Sequence, residues 1–121
     1  DWFGIQQIVA SEDSVEFFNP KVIQSTMGSF ARVAVSYTSL LNYLSATELP
    51  VLGALLNGNS IYQQTSLQEG VLLIGNESNG ISDNLLPLIS LPVSIPRMGG
   101  AESLNAAVAG GILLSHLLQP R

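Results

Sequence analysis

The 121-residue chain predicts an α/β domain built on a mainly parallel sheet with flanking helices. Short β-branched or aliphatic runs alternate with segments that carry helix starts. The later apolar runs each end in a loop rich in glycine or proline. Hydrophobic content is 46% and only 11% of residues are charged, which describes one well-buried globule rather than a disordered chain.

Each element has its own signal. "DWFG" resembles the tail of a helix closed by a C′ glycine, Gly4, which implies that earlier elements precede Asp1. "IQQIVAS" (5–11) is a β-branched run and predicts a strand. Pro20 is suited to the first turn of a helix over "PKVIQSTMGSF". "RVAVSY" (32–37) predicts a strand, and "TSLLNYLSAT" a short helix begun by Thr38 or Ser39. "PVLGALL" (50–56) reads as a buried strand ended by the turn signal "NGNS". "VLLIG" is the next strand, "SDNLLPLI" a helix opened by Ser82 and Asp83, and "LPVSIP" a further strand. "AESLNAAVAGGILLSHLLQ" predicts a long closing helix capped by Ser103, with Glu102 as a first-turn acid. That helix is apolar on nearly every face and contains Gly110 and Gly111, so it is expected to be buried on all sides, within the subunit or against a second copy.

Composition excludes several chemistries. Without cysteine there is no disulfide, thiolate metal site or cysteine nucleophile, and the single histidine, His116, all but excludes a zinc site or a histidine triad. No apolar run has the length of a membrane span, and lack of cysteine suits the cytoplasm. The net charge of −5 argues against this segment as the main anchor for a nucleic acid; Lys21, Arg32, Arg97 and Arg121 are its only Lys or Arg residues.

Three loops attract attention: "LLNGNS" (55–60), "IGNESNG" (74–80) and "IPRMGG" (95–100). In open α/β sheets, ligands bind outside the carboxyl ends of the strands, and glycines there let main-chain groups come close to a flat ligand. Any one loop is an ordinary turn by default; three in succession favour a site. Gly-x-Glu-x-x-Gly is not the dinucleotide fingerprint, because Glu77 stands where that pattern needs glycine and would repel a pyrophosphate. The loop suits a nucleoside ligand without phosphates.

"LLIGNESNGIS" with "IPRMGGAESLNAAVAGGILL" resembles motifs 2 and 3 of the SPOUT superfamily, and more narrowly the SpoU (TrmH-type) RNA 2′-O-ribose methyltransferases. "DWFG" and "NPKVIQSTMGSFARVAV" are similar to the stretch after motif 1, so the resemblance spans almost all of 1–121 as one methyltransferase domain cut short on its N-terminal side. The most specific feature is Ile95–Pro96, eight residues before Ser103–Leu104–Asn105. The resemblance implies a C-terminal deep trefoil knot, a homodimer, an RNA substrate (tRNA or rRNA) and S-adenosylmethionine as cofactor, with no metal and no membrane.

By position, the resemblance places the cofactor against Leu55, Leu56, Gly75, Ile95 and Leu104, with Glu77, Ser103 and Asn105 near the reacting ribose. From the loop geometry, Gly75→Val is expected to abolish cofactor binding with the fold intact, and Asn105→Ala is expected to lower turnover more than cofactor affinity. The arginine of motif 1, within N-x-G-x-x-x-R, is absent from the chain and would precede Asp1. The alternative is therefore a catalytically incomplete module that binds S-adenosylmethionine and dimerises; a small-ligand α/β domain of other function is the third reading. Arg97 stands where relatives commonly carry methionine, and either meets an RNA phosphate or faces solvent. The sequon "NES" is read as chance, His116 as structural, and Trp2 and Phe3 as core or interface.

Overall fold

The computed structural model of the chain describes residues 2–11, 32–76 and 79–119. It divides into two compact units, Asp1–Ala46 and Thr47–Arg121.

In the first unit, β1 (Gln7–Ala10) pairs in parallel with β2 (Ala34–Tyr37), in register from Gln7↔Ala34 to Ala10↔Tyr37. Both lie inside the predicted runs, whose β-branched residues fit a pleated surface. The helix α1 (Leu40–Ala46) follows, and the Ser39 hydroxyl accepts from Asn42 N at 3.3 Å, as its predicted start requires. Gly4 takes φ +78°, the left-handed conformation that closes a turn without a Cβ clash. Trp2 and Phe3 are exposed, which removes them from the core of this unit. The helix expected from Pro20 lies outside the described residues.

The second unit is a three-stranded parallel sheet in the order β4-β3-β5, with β3 (Val51–Ser60) between β4 (Val71–Leu73) and β5 (Leu91–Ser94). A central strand buried on both faces explains the apolar start of the run, Val51–Gly53, whereas Leu56 at its end is exposed. The closing helix α2 (Ala106–Leu117) lays Gly110, Leu113 and Leu117 inward. Leu113 and Leu117 join Leu52, Ile61 and Val93 in the buried cluster, with Ile95 and Leu118 packed at its margin. His116 fastens the end of α2: its Nε2 donates to the Gln64 carbonyl at 2.8 Å, and its ring stands edge-on to Tyr62. The predicted structural role of His116 is what the fold shows.

Three expectations are corrected. "NGNS" does not end β3. The strand continues through it, with Ala54 and Asn59 both opposite Val93, so Leu55–Gly58 bulge out of the ladder. "SDNLLPLI" is not a helix but a 3-10 turn over Leu86–Leu88, because Pro87 lacks the N–H that a longer helix needs. The cap of α2 is Asn105 rather than Ser103, and Glu102 falls outside the first turn. Within the single chain α2 is buried along one face, and Val108 on the other is 51% exposed, so of the two covers expected for this helix the subunit itself supplies only part.

Candidate functional site

The strand order β4-β3-β5 sets the carboxyl ends of three adjacent parallel strands side by side. Two of the three glycine-rich or proline-rich loops leave from the ends of β4 and β5, and the third is the bulge Leu55–Gly58 within β3.

The first is the bulge on β3. Gly58 is needed because a Cβ there would meet the Val93 main-chain N and C at 2.7 Å. Ser94 Oγ then donates to the Gly58 carbonyl at 2.9 Å, holding the bulge against β5. Leu55 and Leu56 are thereby lifted out of the ladder, and Leu56 is 85% exposed. A large apolar side chain held in solvent by a braced loop is a surface that a ligand can cover.

The second loop follows β4. Asn76 N donates to the Gly80 carbonyl at 3.1 Å, and Gly80 N to the Asn76 carbonyl at 2.8 Å. Asn79 N also donates to Asn76 Oδ1 at 3.3 Å. Gly80 has φ +67°, and a Cβ on Gly75 would lie 2.5 Å from Ile81 N and 2.7 Å from the Gly80 oxygen. The two glycines therefore close this loop on itself. Gly75 is required by the chain's own backbone, so Gly75→Val cannot leave the loop intact, contrary to the expectation above. Glu77 lies outside the described residues.

The third loop joins β5 to α2. Ile95 is half-buried at the rim of the core, whereas Leu104 is 49% exposed. Asn105 Oδ1 accepts from Ala107 N at 2.9 Å and Val108 N at 3.2 Å, so this predicted ribose-side residue also caps α2. Ser103 is exposed two residues earlier. Arg97 Nη1 donates to the Ala101 carbonyl at 2.9 Å across the loop. Met98 is 96% exposed, and Gly99 and Gly100 have nothing within 4 Å of an added Cβ.

The sequence marks the loop that holds Gly58, but sequence reasoning missed Ser94, whose hydroxyl braces it from another strand. Two clefts are present elsewhere. One of about 200 Å³ is lined by Ser66, Leu67, Gln68, Leu118 and Gln119. The other, about 340 Å³, lies between Asn59–Ser60, Gln63–Gln64 and Leu91–Val93. Neither takes a lining residue from the predicted set. Among the described residues there is no cluster of His, Asp or Glu suited to a metal ion, and no helix is long and apolar enough to cross a membrane.

Comparison with known proteins follows the same geometry. The chain is 35% identical to the 23S rRNA (guanosine(2553)-2′-O)-methyltransferase of Bacillus subtilis, over 97% of its own length and 49% of that protein's. A TrmH-family protein of Porphyromonas gingivalis superposes with a TM-score of 0.88 at 36% identity, covering 97% of this chain and 50% of that one. The SpoU methyltransferase AviRb of Streptomyces viridochromogenes, solved in complex with AdoMet, gives 0.85 at 25% identity, again over 97% and 50%. The chain thus spans about half the length of the relatives it matches. The profile of the SpoU rRNA methylase family matches residues 1–115, and the chain belongs to that family.

Proposed function

We propose that the protein of which this chain is part transfers a methyl group from S-adenosylmethionine to a ribose 2′-hydroxyl of ribosomal or transfer RNA. The observation that carries this reading is the pair of loops at the carboxyl ends of β4 and β5, with the bulge of β3 on the strand between them, in a chain of the SpoU family. The AdoMet complex of AviRb and the rRNA ribose methylation named for the Bacillus subtilis relative support it.

When bound, S-adenosylmethionine supplies an electrophilic methyl group on a sulfonium. The exposed side chains of Leu56 and Leu104 offer apolar surface for an adenine ring, and the main chain of Leu55, Gly75 and Ile95 offers hydrogen-bonding groups at its rim. Ser103, Asn105 and Glu77 are assigned to the ribose side, where they orient the hydroxyl. Orientation alone contributes about 7–11 kcal/mol to such a transfer. The proton of that hydroxyl is left to a base outside these residues.

The reading extends to the domain as a whole. We take residues 1–121 as the larger part of one methyltransferase domain, its C-terminal segment threaded as a trefoil knot, working as a homodimer in the cytoplasm. The half-open face of α2 supports the dimer, since apolar surface on a helix favours cover by a partner.

The test is calorimetric titration of S-adenosylmethionine into the full-length protein, followed by methyl transfer to unmodified ribosomal and transfer RNA. Micromolar binding with a 2′-O-methylated nucleotide in the product is the expected result. Binding without transfer would leave a cofactor-binding dimerisation module, and no binding would remove the cofactor site.

A further inference from the structure

We propose that Arg97 is the RNA-phosphate contact of the loop between β5 and α2; the inference rests on the RNA-methylating function proposed above. Among the described residues of Thr47–Arg121, Arg97 is the single Lys or Arg, set against Glu48, Glu69, Asp83 and Glu102. Among the described residues of this unit, a polyanion meets one permanent cation, two residues after Ile95 and six before Ser103.

The guanidinium is held in place. Its Nη1 donates to the Ala101 carbonyl at 2.9 Å, which uses one of its donors, and it has no carboxylate partner among the described residues. The surroundings are open, because Gly99 and Gly100 have no atom within 4 Å of an added Cβ. A guanidinium already fixed at one nitrogen loses less side-chain freedom on gripping a phosphate, and its remaining N–H groups match a pair of phosphate oxygens. Lysine would keep the charge but not the fork.

The site is read with Arg97→Gln and Arg97→Lys in the full-length protein. A fluorescent single-stranded RNA oligonucleotide is titrated at several salt concentrations, alongside S-adenosylmethionine binding and methyl transfer to unmodified ribosomal RNA. For Arg97→Gln, RNA affinity is expected to fall roughly tenfold, as for loss of one charge-assisted contact. The log–log salt slope should become shallower by about one, with cofactor affinity unchanged. Arg97→Lys should restore the salt slope and only part of the affinity. Unchanged RNA affinity and slope in Arg97→Gln overturn the proposal, as does a loss of cofactor affinity equal to the loss for RNA, which would make Arg97 a brace of the loop. Absence of methyl transfer by the unmodified protein would sink the function above it, while the oligonucleotide titration still decides whether Arg97 meets phosphate.

Discussion

The hydroxyl of Ser94 donates to the carbonyl of Gly58 at 2.9 Å and ties the bulge of β3 to the neighbouring strand. Because Gly58 already lies against the Val93 main chain, the bulge is held by contact on one side and by a hydrogen bond on the other. Ser94→Ala removes the hydrogen bond and leaves the contact. A bond of this kind contributes about 0.5–1.5 kcal/mol to stability, so Tm should fall by a few degrees, and S-adenosylmethionine affinity should fall as the bulge loosens. Gly58→Ala should lower Tm further, since its Cβ meets main chain that cannot step aside. Calorimetric titration beside thermal melts separates the two. Unchanged affinity in Ser94→Ala would detach the bulge from the cofactor.

Gly75 supplies a second test, and its sign differs from what the sequence suggests. Its missing Cβ makes room for the Gly80–Ile81 main chain, and Gly80 at φ +67° is the other half of the same closure. Gly75→Ala should therefore destabilise the domain by about 1–3 kcal/mol, as overpacking against backbone does. Gly80→Ala should cost less, because only its left-handed conformation opposes a side chain. Denaturant melts of both variants decide the matter. A Gly75→Ala protein as stable as the parent would mean the glycine serves a ligand alone.

Asn105 has one observed duty and one proposed duty, which substitution can separate. Its Oδ1 caps α2 by accepting from Ala107 and Val108, and the function proposed above assigns it to the ribose side. Asn105→Ala should cost about 1 kcal/mol of stability through loss of the cap, so a fall in turnover in that variant cannot be assigned to the ribose. Asn105→Asp keeps the acceptor and favours the helix dipole. The expected outcome for Asn105→Asp is an unchanged Tm with turnover reduced at least tenfold, because an ionised carboxylate cannot donate as an amide does. Full turnover would restrict Asn105 to capping.

The order of strands and loops was legible because it is written in local runs such as "VLL" and "LPVS". Where reading failed, a distant partner decided. Asn57–Gly58 does turn the chain, but Asn59 and Ser60 regain pairing with Val93 and Ser94, more than thirty positions away in sequence. Asparagine and serine cap helices about equally well, so the choice between Ser103 and Asn105 waited on the backbone at Asn105, with φ −52° and ψ 135°. In 82–89 a helix start was visible, yet Pro87 left room for only one tight turn. The role of Gly75 was hidden for a related reason: a glycine that admits a ligand and one that admits the chain's own loop look alike until the loop is folded.

Gly110 and Gly111 extend that distinction to the helix. A Cβ on Gly110 would sit 3.2 Å from Ile74 Cδ1, whereas one on Gly111 would find no atom within 4 Å. In a free chain, Gly111→Ala should stabilise α2 by about 1 kcal/mol through helix propensity alone. Gly111 shares its helix stripe with Val108 and Ser115, at the spacing of neighbours on one face, and both of those are exposed. A second copy of the chain seated on this stripe reverses the sign, because a methyl group then intrudes between two packed backbones. If the proposed homodimer uses this face, the expected outcome in the full-length protein is the reversal: Gly111→Ala lowers Tm and raises the concentration at which sedimentation shows dissociation, and Val108→Glu does so more strongly. A higher Tm for Gly111→Ala, with dimerisation unchanged, would place the subunit contact on another surface and leave this face of α2 to solvent.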